Sequence, residues 1–203
     1  MDYFLEVYAV CDDEMLTEKI DHIKDKLVST LDNTGYEYRV TILDSPVVNA
    51  FALPGGDFVI FNGLIKKSTR PEELAGVMAH EIQHIEQRHT TKLLVKDKLF
   101  EFILTSGEGS SQGVESTLQI ARVLGGLAYR RAEESAADAQ GLKMLIEAQI
   151  DPNGMKDFFK IMEAEYGKMP ALFKYISTHP DVGERIETLD TMIRRSSFTP
   201  KKL

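Results

Sequence analysis

Apolar positions recur along this chain with two periods, which divide it into a helical majority and one short extended region. Between Met15 and Leu31, the residues Leu16, Ile20, Ile23, Leu27 and Leu31 step by four and three, predicting an amphipathic helix over 14–34. Asn33-Thr34-Gly35 ends it. Tyr36, Tyr38, Val40 and Ile42 then alternate with Glu37, Arg39 and Thr41, the period of a half-buried strand. Val47 to Leu53 is a second extended run. After the turn residues Pro54-Gly55-Gly56-Asp57, Phe58 to Phe61 is a third, so a small antiparallel sheet with a hairpin is expected over 36–61, closed by Asn62-Gly63. Leu74, Val77, Met78, Ile82 and Ile85 form the stripe of a long helix over 70–104. Pro71 suits its first turn, and Thr69 with Glu72 fits a capping box. Residues 106–113 are rich in Gly and Ser and read as a flexible loop. Helical patterns return over 114–123 and 129–150, around Phe158, Phe159 and Met162, and from Val182 to Ile193. The expected architecture is α+β and mainly helical: one domain over 1–203, with helical parts at 70–104 and 129–195 covering the small sheet.

Composition narrows the class. Hydrophobic residues make up 43% and charged residues 28% of the 203, the balance of an ordinary globular domain. A formal charge of -8 argues against nucleic acid as the main partner, which requires a basic stripe. No stretch approaches the ~18–20 consecutive apolar residues of a spanning helix, and no basic segment followed by an apolar core opens the chain. The chain as written is therefore expected to be soluble, with peripheral membrane association left open; a signal or anchor ahead of Met1 would change that. Cys11 is the single cysteine, so no intrachain disulfide forms and redox usage does not reveal the compartment.

The chemistry concentrates at His80-Glu81-Ile82-Gln83-His84, which matches H-E-x-x-H. Residues four apart on a helix lie one above the other, so His80 and His84 can grip one metal ion, and Glu81 sits beside them as a base. Zinc suits neutral imidazole nitrogens, and a three-ligand zinc site leaves a position where water falls to a pKa of ~7. His89 lies nine positions after His80, roughly 180° around a continuous helix at about 100° per residue, and faces away unless the helix breaks. Farther on, Glu134 and Asp138 share a helix face. Glu134 can serve as the third ligand, with Glu133 as the alternative, and Asp138 can accept the other ring N–H of a ligand histidine. Gly109-Ser110-Ser111-Gln112-Gly113 also matches the serine-hydrolase elbow, but a helix leads into it where that motif needs a strand, so the loop reading stands.

Glu134-Ser135-Ala136-Ala137-Asp138 downstream of H-E-x-x-H resembles the gluzincin metallopeptidases of family M48, which include CAAX prenyl proteases and HtpX-like bacterial envelope proteases. Asn49-Ala50-Phe51-Ala52-Leu53-Pro54-Gly55-Gly56 is similar to that family's strand and turn, and Thr178-His179-Pro180 with Arg185-Ile186 is similar to its C-terminal motif. The resemblance implies a zincin-like domain with zinc held by His80, His84 and Glu134, and with Glu81 as general base. It also implies that His179, aided by Arg185 and Asn49, faces the metal or the substrate oxyanion. By the same resemblance the compartment is a bacterial cell envelope where a leader or anchor precedes the chain, and otherwise the cytoplasm. The expected function is a zinc endopeptidase that hydrolyses unfolded or extended protein segments in protein quality control. The competing expectation is a zinc-binding, chaperone-like docking module with little turnover. The edge formed by Asn49, Ala50, Phe51 and Ala52 is expected to line the metal cleft and to bind peptide as an added strand.

Overall fold

The computed structural model describes residues 8–32, 34–95, 131–165, 179, 182–196 and 198. Helix α1 (Glu14–Val28) begins where Asp13 caps it, its carboxylate accepting from the Leu16 N–H at 3.0 Å. Ile20, Ile23 and Leu27 are its buried face, as their spacing requires. Three strands follow, β1 (Arg39–Leu43), β2 (Ala50–Ala52) and β3 (Asp57–Phe61), then α2 (Asn62–Lys67), so Asn62-Gly63 opens a helix rather than closing the sheet.

The sheet is mixed where antiparallel pairing was expected. β2 and β3 form the expected antiparallel hairpin, but β1 runs parallel to β3 on its other side, giving the order β1-β3-β2. The reason is visible in β3, whose Phe58 to Phe61 are all buried: a strand apolar on both faces belongs in the middle of a sheet. Gly55 and Gly56 turn the hairpin at φ 100° and 105°, and a Cβ on Gly56 would stand 2.3 Å from the Glu37 carbonyl oxygen. The outer edge of β1 is covered by the N-terminal segment, with Cys11 N–H donating to Ile42 O at 2.9 Å and Asp44 N–H to Ala9 O at 2.8 Å. Among the described residues, β2 is therefore the edge without a partner strand.

Helix α3 (Pro71–Glu86) is the centre of the fold, with every residue from Glu73 to Ile85 buried. Its first turn is capped one residue later than the sequence suggested. Arg70 is the N-cap, and the Glu73 carboxylate accepts from the Thr69 N–H at 2.6 Å and the Thr69 hydroxyl at 3.0 Å. The expected helix over 70–104 is shorter. It stops at Glu86 because Arg88 adopts φ 57°, and the chain becomes helical again over 89–95. A left-handed non-glycine residue costs on the order of 1–3 kcal/mol, so surrounding contacts must hold it.

Among the described residues, the chain continues with helices α4 (Arg131–Glu147), α5 (Asn153–Glu165) and α6 (Val182–Arg195), and α3 packs most extensively on α5 and α4. Glycines allow this: a Cβ on Gly76 would lie 2.4 Å from the Met155 Cα, and one on Gly154 2.0 Å from the Glu72 carbonyl oxygen. The small residue facing α3 from α4 is Gly141, against the Ala79 backbone, together with fully buried Ala137; Ala136 is only half-buried. The expected loop at 106–113 and helix at 114–123 lie outside the described residues. Among the described residues, no helix is long and apolar enough to cross a membrane.

Candidate metal centre

His80 and His84 project from α3 into a region where both side chains are inaccessible to solvent. Their Nε2 atoms converge to 3.0 Å. From α4, Glu134 reaches the same point, its Oε1 3.3 Å from His84 Nε2 and its Oε2 3.5 Å from His80 Nε2. His179 adds a fourth donor, its Nδ1 lying 3.2 Å from His80 Nε2 and 3.0 Å from Glu134 Oε1. One ligand atom from each of the four residues can be chosen so that all lie within 4.8 Å of one another. The donor types and spacing fit zinc. Four ligands at about 2.0–2.1 Å from a tetrahedral zinc stand about 3.3–3.4 Å apart, close to these separations, and three imidazoles with one carboxylate are donors zinc prefers. Without a metal, protons must fill this buried space between three ring nitrogens and a carboxylate.

Behind these donors lies a polar layer that fixes their orientation. Asp138, one turn after Glu134, places Oδ1 3.0 Å from His80 Nδ1, so the ring presents Nε2 to the centre. Arg185 of α6 forks onto both oxygens of Asp138 at 2.7 Å through Nε and Nη2, and its Nη1 pairs with Glu134. The guanidinium stacks on Phe159 at 4.2 Å from the ring centroid, which holds the fork in plane.

This arrangement dictates the charge states. Burial alone would raise the Glu134 carboxyl, but the neighbouring histidines outweigh it and hold it well below the usual carboxylate range. Asp138 is likewise lowered, burial being overcome by Arg185 and His80. Burial pushes His84 down, towards the neutral form that a ligand needs, whereas in His80 the Asp138 and Glu134 carboxylates overcome burial and raise the pKa to about 9. A metal ion would displace that proton.

Glu81 differs from the other carboxylates. It is buried, and burial raises its pKa despite the opposing influence of His179, His80 and a hydrogen bond from the Ala52 N–H. His179 Nε2 is 3.5 Å from its Oε1. A carboxylate that is neither a ligand nor neutralised by a full ion pair has its proton affinity preserved, as a base requires.

Edge strand β2 borders the site and packs on α3. Because Asn49 O and Leu53 N bond to β3, the alternation of the ladder turns the N–H and C=O of Ala50 and Ala52 towards the open edge. Ala52 O accepts from the Thr90 hydroxyl at 3.4 Å, and Ala50 N–H donates to Asn49 Oδ1 at 2.8 Å. Phe51 departs from the expectation for this edge. Period-two alternation sends its side chain to the far face, against Phe61 at 5.9 Å between ring centroids, and its backbone faces β3. Asn49 is buried and caps the start of β2.

The structure thus brings His80, His84, Glu134 and His179 together, with Glu81 beside them and Asp138 and Arg185 behind. It places Arg185 on carboxylates rather than on an open surface, and Glu133 outside the donor cluster. The residue that sequence reasoning missed is His89, which stands 3.0 Å from His84, Nδ1 to Nδ1. The angular argument against it assumed an unbroken helix, and neither Gly nor Pro marks the break.

Comparison with known proteins agrees with this geometry. The model of Peptidase family M48 matches residues 14–193. The chain is 28% identical over 206 residues to a putative beta-barrel assembly-enhancing protease of Vibrio cholerae, covering 96% of this chain and 42% of that protein. It is 26% identical over 199 residues to the mitochondrial metalloendopeptidase OMA1 of Schizosaccharomyces pombe, covering 93% of this chain and 58% of that protein. With the mitochondrial metalloendopeptidase OMA1 of Bos taurus it shares 33% identity over 170 residues, 76% of this chain and 32% of that one. The chain therefore spans from about a third to somewhat over half the length of these relatives. On the family match over nearly its whole length, this chain belongs to peptidase family M48, a family of metallopeptidase hydrolases.

Proposed function

We propose that the protein is a zinc endopeptidase that cleaves extended or unfolded segments of other proteins, of the kind met in protein quality control. The observation that carries this reading is the juxtaposition of a four-donor cluster with a buried carboxylate, Glu81, that takes no part in it. His80, His84 and Glu134 hold the metal, which supplies a Lewis acid and lowers the pKa of water to ~7. Glu81 removes the proton from the nucleophilic water and returns it to the departing amine. Asp138 fixes the tautomer of His80, and Arg185 holds Asp138 and Glu134 in place while balancing their charge. Of the outward-facing groups of β2, the Ala50 N–H and the Ala52 C=O are held by Asn49 and Thr90, so an extended substrate would pair with the Ala50 C=O and the Ala52 N–H, which selects conformation before side-chain identity.

A second reading draws on His179. With its Nδ1 among the donors, the cluster is complete at four protein groups, as in structural rather than catalytic zinc sites. The conformation described is then a resting one, consistent with a domain that docks partners and turns over slowly until His179 leaves.

The test is proteolysis of a permanently unfolded polypeptide and of its folded counterpart, before and after metal removal. Cleavage of the unfolded chain alone, lost on chelation and restored by stoichiometric zinc, supports the endopeptidase. Stoichiometric zinc with little cleavage by wild type, relieved in a His179→Ala variant, supports the second reading.

A further inference from the structure

We infer that His89 is a positioning residue for the ligand His84, delivered to it by the left-handed break at Arg88. This rests on the metal reading of His84 given above.

A ligand histidine uses one ring nitrogen for the metal, and the other must be held or the ring can rotate. For His80 the holder is the Asp138 carboxylate, one turn beyond Glu134 on another helix. His84 directs Nε2 at His80 and Glu134, so its Nδ1 points outward, and 3.0 Å away stands the Nδ1 of His89. Two imidazole nitrogens at that distance share one proton. When Nε2 of His84 is a donor to metal, Nδ1 carries the hydrogen, so His89 accepts it and keeps its own hydrogen on Nε2. The two ligand histidines are therefore backed by different chemistry, one by a carboxylate and one by a neutral ring.

Backbone geometry explains how a residue five positions after His84 reaches it. On a continuous helix, five residues at about 100° each place a side chain far round the cylinder. Here α3 ends with Gln87 N–H bonded to Gln83 O and Arg88 N–H to Ile85 O. Arg88 turns at φ 57°, and the chain starts again with Lys92 N–H bonded to Arg88 O. The break buries the next two side chains, both otherwise polar: His89 is 4% exposed and Thr90 2%. His89 goes to the ligand, and the Thr90 hydroxyl goes to Ala52 O on the edge strand at 3.4 Å. One backbone reversal ties the metal helix to the strand beside Glu81, and these two contacts give the strained Arg88 conformation a reason to persist.

The experiment is zinc titration of the metal-stripped protein, together with the visible absorption spectrum of its cobalt form, for wild type and three variants. His89→Asn keeps an acceptor near the position of Nδ1. His89→Leu keeps apolar bulk without an acceptor, and His89→Ala keeps neither. Leu and Ala are expected to weaken zinc about 10–100-fold and to alter the cobalt bands, while Asn recovers most of the affinity and the wild-type spectrum. If the Ala variant does not fold, the Asn and Leu pair decides alone. Wild-type affinity and spectrum in the Leu variant, or equal loss in Asn and Leu, would overturn the inference. Failure of the wild type itself to bind zinc would instead remove the metal reading beneath it.

Discussion

The Nδ1 of His179 stands 3.2 Å from the Nε2 of His80, inside the group of donor atoms rather than above it. On the second reading an imidazole there would complete a four-ligand set, which would leave no position for water. His179→Ala should therefore keep zinc, held by His80, His84 and Glu134, and should raise the rate of peptide cleavage over wild type. Steady-state kinetics on an unfolded substrate check this. A fall in kcat of about 10²–10⁴-fold would assign His179 to acid-base or oxyanion chemistry instead.

Arg185 carries the positive charge that compensates two buried carboxylates. Replacing it by Met leaves Glu134 and Asp138 buried without that cation, a loss of about 3–5 kcal/mol for groups of this kind. Thermal unfolding of the metal-stripped variant should show this destabilisation, and added zinc should recover part of it by neutralising Glu134. Asp138→Ala frees the His80 ring and also leaves the Arg185 fork with Glu134 alone, so it should weaken zinc about 10–100-fold besides costing stability. An Arg185→Met variant as stable as wild type would mean that Arg185 does not serve the carboxylates.

Much of this site was legible in the sequence because its parts are local. His80, Glu81 and His84 are fixed by helical spacing, as are Glu134 and Asp138, and helical spacing survives folding. The hairpin was legible because Pro54-Gly55-Gly56 demands a turn. What sequence could not supply were relationships set by tertiary contacts. The parallel partnership of β1 with β3 depends on which strand wins the central position. The break at Arg88 has no glycine to announce it, since the residue accepts its strain in exchange for buried contacts of His89 and Thr90. Phe51 lies in the strand expected to form a substrate edge, but alternation within that same strand turns it to the far face.

In the proposed mechanism, Ala52 is where the substrate edge meets the base. Its N–H faces the open edge of β2 and influences the Glu81 carboxylate. Ala52→Pro removes this donor without breaking the ladder to β3, because the N–H is directed away from β3. The Michaelis constant for an unfolded peptide should rise while zinc content stays at the wild-type level. Unchanged kinetics in a folded, zinc-loaded variant would show that peptide does not pair with this strand.

Glu81 is expected to lower stability in proportion to its charge. Burial holds the folded-state pKa of this carboxyl above the ordinary 4.5, so ionisation disfavours the native state. The destabilisation is absent below the unfolded pKa and develops as pH rises from there through the raised folded value. Metal-stripped Glu81→Gln should therefore unfold at a higher temperature than metal-stripped wild type at neutral pH, with the difference closing in acid. A variant that is less stable at neutral pH would show that the carboxylate is satisfied in the native state.

The central claim is that this chain hydrolyses peptide bonds with Glu81 as base at a zinc held by His80, His84 and Glu134. Its most direct test pairs metal content with cleavage of an unfolded polypeptide for wild type and Glu81→Gln. The account predicts one zinc per chain in both proteins, with cleavage by wild type and none by the variant. Zinc loss in Glu81→Gln comparable to that in His80→Ala, or undiminished cleavage by a zinc-loaded Glu81→Gln, would contradict it.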